Sequence, residues 1–314
     1  MRAIVVRSVG DPSVLVEETV ADPAPAPGEV LVRIAACGVN FADTEGRRAV
    51  YRMPAMPWIP GHEAAGVVEA VGEGVDASLR GRRVAFFSTR SSGTYAELAT
   101  APADELFVFG ETIDFATMAG VPLQGLTAVG VLRLAGPVAG RTVLVHAAAG
   151  GVGQLLVQLA RREGARVLGL ASTPVKVEIV RALGIEASSS SDDWVAWAGE
   201  VDVVFDSVGR ATRDGSLRVL APGGQLLFFG DASGPPAPID VDELYAKSLR
   251  VGAFTLDVSR ARDAWARARL ELTRAVTTGE LRVNVTRTFP LRDAAAAHAA
   301  IESRATSGKL VLVP

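Results

Sequence analysis

Residues 142–153, Thr-Val-Leu-Val-His-Ala-Ala-Ala-Gly-Gly-Val-Gly, join a short apolar run to a tight turn of small residues. Leu155, Leu156, Leu159 and Ala160 follow at helical spacing. Strand, glycine turn and helix in that order are what a dinucleotide pyrophosphate requires. Gly150 lets the backbone approach the phosphates, and Gly153 lets the helix pack on the strand. The helix opens at Gly151 and Val152, whose free N–H groups point at the anion. Ala148 stands where the usual fingerprint begins with glycine, which leaves a plain βα turn of another α/β protein as the alternative reading.

The strand after this helix ends Gly169-Leu170-Ala171-Ser172-Thr173, followed by Lys176. An NAD site commonly carries a carboxylate there to accept the adenosine ribose hydroxyls. Two hydroxyls and an ammonium suit a dianionic 2′-phosphate instead, so NADPH is the expected cofactor. The alternative for Lys176 is a solvated helix residue. Asp206-Ser207-Val208-Gly209 and Phe229-Gly230-Asp231 close two later strands, at the carboxyl edge where such sheets bind ligands.

These groups need a scaffold, and the chain is long enough for two domains at 314 residues. The first third is β-rich, with short runs at 3–7, 14–20, 29–39, 65–71, 84–87 and 95–100 set apart by Gly and Pro. From about Ala119 helices and strands alternate through the run at 249–254, the pattern of a doubly wound parallel sheet. Helices near 261–278 and 292–304 and a strand at 309–313 are expected to rejoin the first domain. The expected division is 1–119, 120–256 and 257–314. Ser188–Ser191 reads as a loop. A strand at 249–254 would end the sheet, and its bare apolar edge predicts a homodimer.

The formal charge is −3, from 32 basic and 35 acidic side chains without long runs of one sign, which argues against nucleic acid or an anionic membrane as partner. No apolar run is long enough to span a bilayer. The first residues, Met-Arg-Ala-Ile-Val-Val-Arg, read as a strand and lack a signal-peptide core, so a cytoplasmic enzyme is expected. Cys37 is the sole cysteine, which excludes an internal disulfide or a multi-thiolate zinc site within one chain.

Several segments resemble the medium-chain dehydrogenase/reductase superfamily: Glu29 to Arg33, Cys37-Gly38-Val39-Asn40-Phe41-Ala42-Asp43-Thr44, Pro60-Gly61-His62-Glu63 and Gln124-Gly125-Leu126-Thr127-Ala128. Phe289-Pro290-Leu291, Ala297-His298, Glu302-Ser303-Arg304 and Ser307-Gly308-Lys309 narrow the likeness to the zinc-independent quinone oxidoreductase (zeta-crystallin-like) branch. The resemblance implies a β-rich GroES-like catalytic domain beside the Rossmann domain. It also implies cofactor contacts at Asn40, Thr127, Val208, Phe229 and Gly230, with Phe254 and Leu256 over the nicotinamide. Relatives often carry a tyrosine where Ser191 stands.

Zinc-using members hold their catalytic metal with a Cys, a His and a second Cys. The resemblance places Asn40 and Gln124 at the thiolate positions and His62 at the histidine, a donor set that lacks the soft ligands zinc favours. No metal is expected. Without one, the simplest reaction is hydride delivery to a quinone or an α,β-unsaturated carbonyl, with the protein stabilising the developing oxyanion. The resemblance makes Tyr51 the candidate hydrogen-bond donor with Asn40 beside it; a loop aromatic walling the pocket is the alternative. Asp43 reads as a helix cap rather than a catalytic carboxylate. Glu45 stands where relatives often carry a second tyrosine. Two further readings remain open. One is a stand-alone polyketide enoyl reductase, whose acyl carrier would dock on Arg47, Arg48 and Arg52. The other is a nucleotide-bound structural or redox-sensing protein without turnover.

Overall fold

Strand β3 shows how this chain changes environment within one element. Between Val30 and Ile34 buried residues alternate with wetter ones, whereas Ala36 to Val39 are buried without a break. The first half has one face in water, and the second is a central strand covered on both faces. In a computed structural model, described here for residues 1–50, 55–88, 93–235, 237–256 and 262–314 (without the side chains of 262–264), β3 anchors the first of two units.

That unit comprises Met1–Leu126 and Asp257–Pro314. It opens with β1 (Arg2–Val5), β2 (Val16–Thr19), β3 (Glu29–Val39), α1 (Phe41–Arg47), β4 (Glu63–Val71) and β5 (Arg83–Phe87). Next come β6 (Leu98–Pro102), β7 (Phe107–Phe109), α2 (Phe115–Ala119) and α3 (Pro122–Ala135), in which the first boundary falls. The expected strand at 95–100 starts only at Leu98; Ala96 makes an isolated bridge to Ala3.

The second unit, Thr127–Leu256, contains β8 (Thr142–Val145), α4 (Gly151–Arg162), β9 (Arg166–Ala171), α5 (Pro174–Arg181), β10 (Glu186–Ser189) and α6 (Trp194–Ala198). It closes with β11 (Val201–Asp206), α7 (Arg213–Val219), β12 (Leu220–Phe228), α8 (Val241–Tyr245) and β13 (Arg250–Ala253). All its strands pair in parallel, in the order β10-β9-β8-β11-β12-β13. In chain order that is 3-2-1-4-5-6, the Rossmann arrangement, whose strand order reverses beside the first strand. The serine run at 188–191 is corrected: Ser188 and Ser189 lie in β10, because pairing with Leu170 and Ala171 outweighs the poor strand propensity of serine.

The chain then returns to the first unit with α9 (Arg262–Thr277), β14 (Val285–Pro290), α10 (Ala294–Glu302) and β15 (Lys309–Val313). β15 runs antiparallel to β3, with Leu310 opposite Val39 and Leu312 opposite Cys37. The first unit is therefore a sheet of order β14-β15-β3-β4-β5-β7, with β6 also on β3 and a separate β1–β2 hairpin. Its core, including Ile4, Val32, Phe86, Tyr95 and Leu312, is fully enclosed. No helix among the described residues is long and apolar enough to cross a membrane.

Candidate functional site

The register of β3 gathers a polar cluster in the first unit. Gly38 lies opposite Glu63 of β4, and on the other side Leu310 opposite Val39 sets Lys309 beside Asn40. Glu63, Lys309, Asn40 and Gln124 are all buried. Lys309 Nζ donates to Glu63 Oε1 (2.5 Å), Asn40 Oδ1 (2.7 Å) and the Val39 carbonyl (3.0 Å), using all three ammonium protons. Gln124 Nε2 donates to the same Asn40 oxygen at 2.5 Å, and Glu63 Oε2 accepts the Leu123 N–H at 2.8 Å.

Gly38 makes the ion pair possible. A Cβ there would stand 2.5 Å from Glu63 Oε1 and 2.7 Å from Lys309 Cε. Only a residue without a side chain lets the two charges meet across the strand.

The second polar group begins at Asn40, which caps α1. Asp43, fully buried in the first turn of that helix, accepts the Asn40 backbone N–H at 2.8 Å. The cap reading of Asp43 thus describes one of three bonds. Its other partners are His62 Nδ1 (2.5 Å) and the Tyr95 hydroxyl (3.2 Å), which also lies 3.1 Å from His298 Nε2. Burial opposes charge on both members of the Asp43–His62 pair. Their mutual attraction and hydrogen bond outweigh it, lowering the Asp43 pKa and raising that of His62. The Cys37 thiol is pushed up by burial and packs as a small core residue.

These residues do not fit zinc. Asn40 Oδ1, which the resemblance sets at one thiolate position, already faces an ammonium, and Gln124 turns an N–H toward it. Among the described residues no group of three or more His, Cys, Asp or Glu is arranged to hold a metal ion.

Apart from Asn40, the residues expected to bind the nucleotide lie in the second unit. Gly150, in extended conformation, is the N-cap of α4, which begins at Gly151 and Val152. A Cβ on Gly153 would fall 2.3 Å from the Ala147 carbonyl and 2.8 Å from Ala148 Cα, so the helix can lie this close to the turn only with glycine there. The first-turn N–H groups of this 12-residue helix are of the kind that can bind an anion, and no acidic residue stands in that turn. At the end of β9, Ser172 and Thr173 are exposed and Lys176 is partly buried, with burial lowering its pKa. Thr173 caps α5, its hydroxyl accepting the Lys176 N–H. This set fits a phosphorylated dinucleotide.

The other expected contacts spread through the same unit. Ser191 is tied to Ser189 through its N–H (3.2 Å) and hydroxyl (2.6 Å). Val208 lies beyond β11 and Phe229 and Gly230 beyond β12, at the carboxyl ends of the sheet. Val208 N–H donates to Asp206 Oδ1 at 2.7 Å. Thr127 lies in α3, Phe254 and Leu256 follow β13, and the Phe254 ring packs on Gly130, where a Cβ would meet it at 2.1 Å. Tyr51 and Arg52 lie outside the described residues. Arg47 corrects the docking idea: it is fully buried, bonded to the Gly10 carbonyl (2.7 Å) and Glu302 (2.5 Å), and presents no charge to a carrier. Its place on the inner face of α1 is the reason.

Sequence reasoning left Glu63, Lys309, Tyr95 and His298 without roles. Lys309 and Glu63 are 246 residues apart, and only the pairing of β15 and β4 with β3 joins them.

Comparison with known proteins agrees with this architecture. Residues 26–111 match the alcohol dehydrogenase GroES-like domain, and 185–312 match a family described as zinc-binding dehydrogenase. A probable quinone oxidoreductase of Schizosaccharomyces pombe is 37% identical over 98% of this chain and 95% of its own. A 2-haloacrylate reductase of a Burkholderia species is 37% identical over 99% and 98% of the two chains. The Escherichia coli quinone oxidoreductase solved with NADPH superposes with a TM-score of 0.93 over the full length of both chains at 33% identity. With its GroES-like and Rossmann domains and full-length likeness to these enzymes, the chain belongs to the quinone oxidoreductase family of the medium-chain dehydrogenase/reductase superfamily.

Proposed function

We propose that this chain is an NADPH-dependent, zinc-independent oxidoreductase that reduces a quinone or an α,β-unsaturated carbonyl compound. The carrying observation is the Asn40–Gln124 amide pair, tied to Lys309 where metal-using members carry thiolates. A site without a Lewis acid needs an acceptor that already has a low-lying vacancy, and quinones and enones meet that need. The relative named for reducing 2-haloacrylate, an unsaturated acid, supports the second acceptor class.

Bound NADPH supplies the hydride. Ala148, Gly150, Gly151, Val152 and Gly153 would hold the pyrophosphate, and Ser172, Thr173 and Lys176 the 2′-phosphate. Thr127, Ser191, Val208, Phe229 and Gly230 would contact the nucleotide, and Phe254 and Leu256 would cover the nicotinamide. Asn40 and Tyr51 donate hydrogen bonds to the acceptor oxygen as negative charge builds there. The same reading makes the protein a homodimer paired along β13, whose Arg250, Val251 and Ala253 are exposed at the sheet edge. It places the enzyme in the cytoplasm, in keeping with a lone, buried thiol. A monomer in sedimentation at micromolar concentration would overturn the dimer.

The test is anaerobic single-turnover mixing of NADPH-loaded protein with a benzoquinone, an enone and an enoyl thioester. Rapid loss of NADPH absorbance with the first two, unchanged by a chelator, is expected. Failure to oxidise NADPH with either, or loss of activity together with about one zinc per chain, would sink the reading.

A further inference from the structure

We propose that Lys309 is a positioning residue for this reduction: its ammonium fixes the Asn40 carboxamide with Oδ1 turned inward, leaving Nδ2 as the donor edge. The inference rests on reading Asn40 as a donor to the acceptor or cofactor.

The orientation follows from donor chemistry. An ammonium has three donors and no acceptor, so the amide atom 2.7 Å from Lys309 Nζ must be oxygen. Gln124 meets that oxygen at 2.5 Å and must turn its own nitrogen to it. Two amides whose ends look nearly alike are thus locked in one polarity by a single charge. Asn40 Nδ2 is left with a long, 3.4 Å contact to the Gly38 carbonyl, and Gln124 Oε1 is buried without a partner among the described residues. A weakly held donor and an orphan acceptor are groups prepared for a ligand.

Lys309 is itself over-determined. Glu63 neutralises it at 2.5 Å and is held in turn by the Leu123 N–H at 2.8 Å. Gly38 is empty of side chain where the pair passes, and a Cβ on Gly120 would lie 3.4 Å from Lys309 Cγ. The ammonium also polarises the Asn40 amide along the hydrogen-bond chain, strengthening Nδ2–H as a donor.

The test is a double-mutant cycle on anaerobic single-turnover hydride transfer at saturating NADPH. Lys309→Met alone strands a buried carboxylate, so the variant is Lys309→Met/Glu63→Gln, which removes both charges. Its hydride transfer should fall about tenfold or more, a loss of about 1.4 kcal/mol, with NADPH affinity within about threefold of wild type. Asn40→Ala should cost a similar factor, and adding it to the charge-free pair should cost nothing more. Gly38→Ala, which keeps both charges but crowds them, serves if the pair variant does not fold; its loss should also vanish in an Asn40→Ala background. Wild-type rates in the charge-free pair, or losses that multiply with Asn40→Ala, would overturn the role of Lys309. Absence of NADPH oxidation in the wild type would instead defeat the underlying functional reading.

Discussion

Asp43 Oδ1 and His62 Nδ1 share a hydrogen bond of 2.5 Å, with the carboxylate sealed in the core and the imidazole still partly open to solvent. Backbone and side chain both serve the arrangement, since Asp43 also accepts from the Asn40 N–H and the Tyr95 hydroxyl. A buried carboxylate with three donors stays ionised and holds the imidazole in a fixed tautomer.

The His62–Asp43 pair should therefore be a pH-dependent element of stability. The raised pKa of His62 contributes stability that is complete below about pH 6.5 and lost as pH rises through its folded value. The lowered pKa of Asp43 contributes stability present above about pH 3.8 and lost as pH falls through its folded value. Asp43→Asn should cost about 1.5–3 kcal/mol in denaturant unfolding. It should also bring the His62 midpoint, followed by imidazole NMR, down to or below about 6.5. An unchanged midpoint would show that Asp43 does not hold the proton.

His298 should act in the opposite sense. It is fully enclosed, its Nδ1 has no hydrogen-bond partner among the described residues, and burial, with Arg47 nearby, pushes its pKa down to about 4 against the pull of Asp43. The unfolded chain then takes up a proton that the folded chain refuses. Stability should fall by about 3 kcal/mol from this residue as pH drops from about 6.5 to about 4. In His298→Gln the acid limb of a melting-temperature profile should flatten in that window. A limb as steep as in the wild type would assign the acid sensitivity elsewhere.

Cofactor choice should depend on Lys176. Lys176→Ala should weaken NADPH by about 1–3 kcal/mol, roughly 5- to 150-fold in the dissociation constant, and leave NADH nearly unchanged. Equal weakening of both nucleotides, read by fluorescence titration, would show that Lys176 does not contact the 2′-phosphate.

Tyr51→Phe should slow hydride transfer by about 10²–10³ if its hydroxyl donates to the developing oxyanion, with NADPH binding nearly intact. The loss should be larger with an enone than with a quinone, because quinone reduction gains aromaticity and needs less help. Equal single-turnover rates for wild type and variant on both acceptors would make Tyr51 a wall of the pocket.

The nucleotide half of this protein was legible in its sequence because its signals are local. Strand, glycine turn and helix at 142–162 are set by short-range sterics, and parallel pairing is implied by the alternation of elements. The absence of paired thiolates could be read in the same way, residue by residue. Ser188 and Ser189 show where local reading stopped, since a strand that ends in two serines exists only because β9 offers it hydrogen-bond partners. Arg47 is another case: one-dimensional spacing gives its charge but not the face of α1 on which it lies. The polar heart of the first unit belonged to tertiary structure altogether. Lys309 reaches Asn40 and Glu63 because β15 closes against β3 in one register, with Gly38 leaving the gap between them. Register is set by the summed burial of whole strands, a non-local quantity, so no window of sequence contains the contact that orients Asn40.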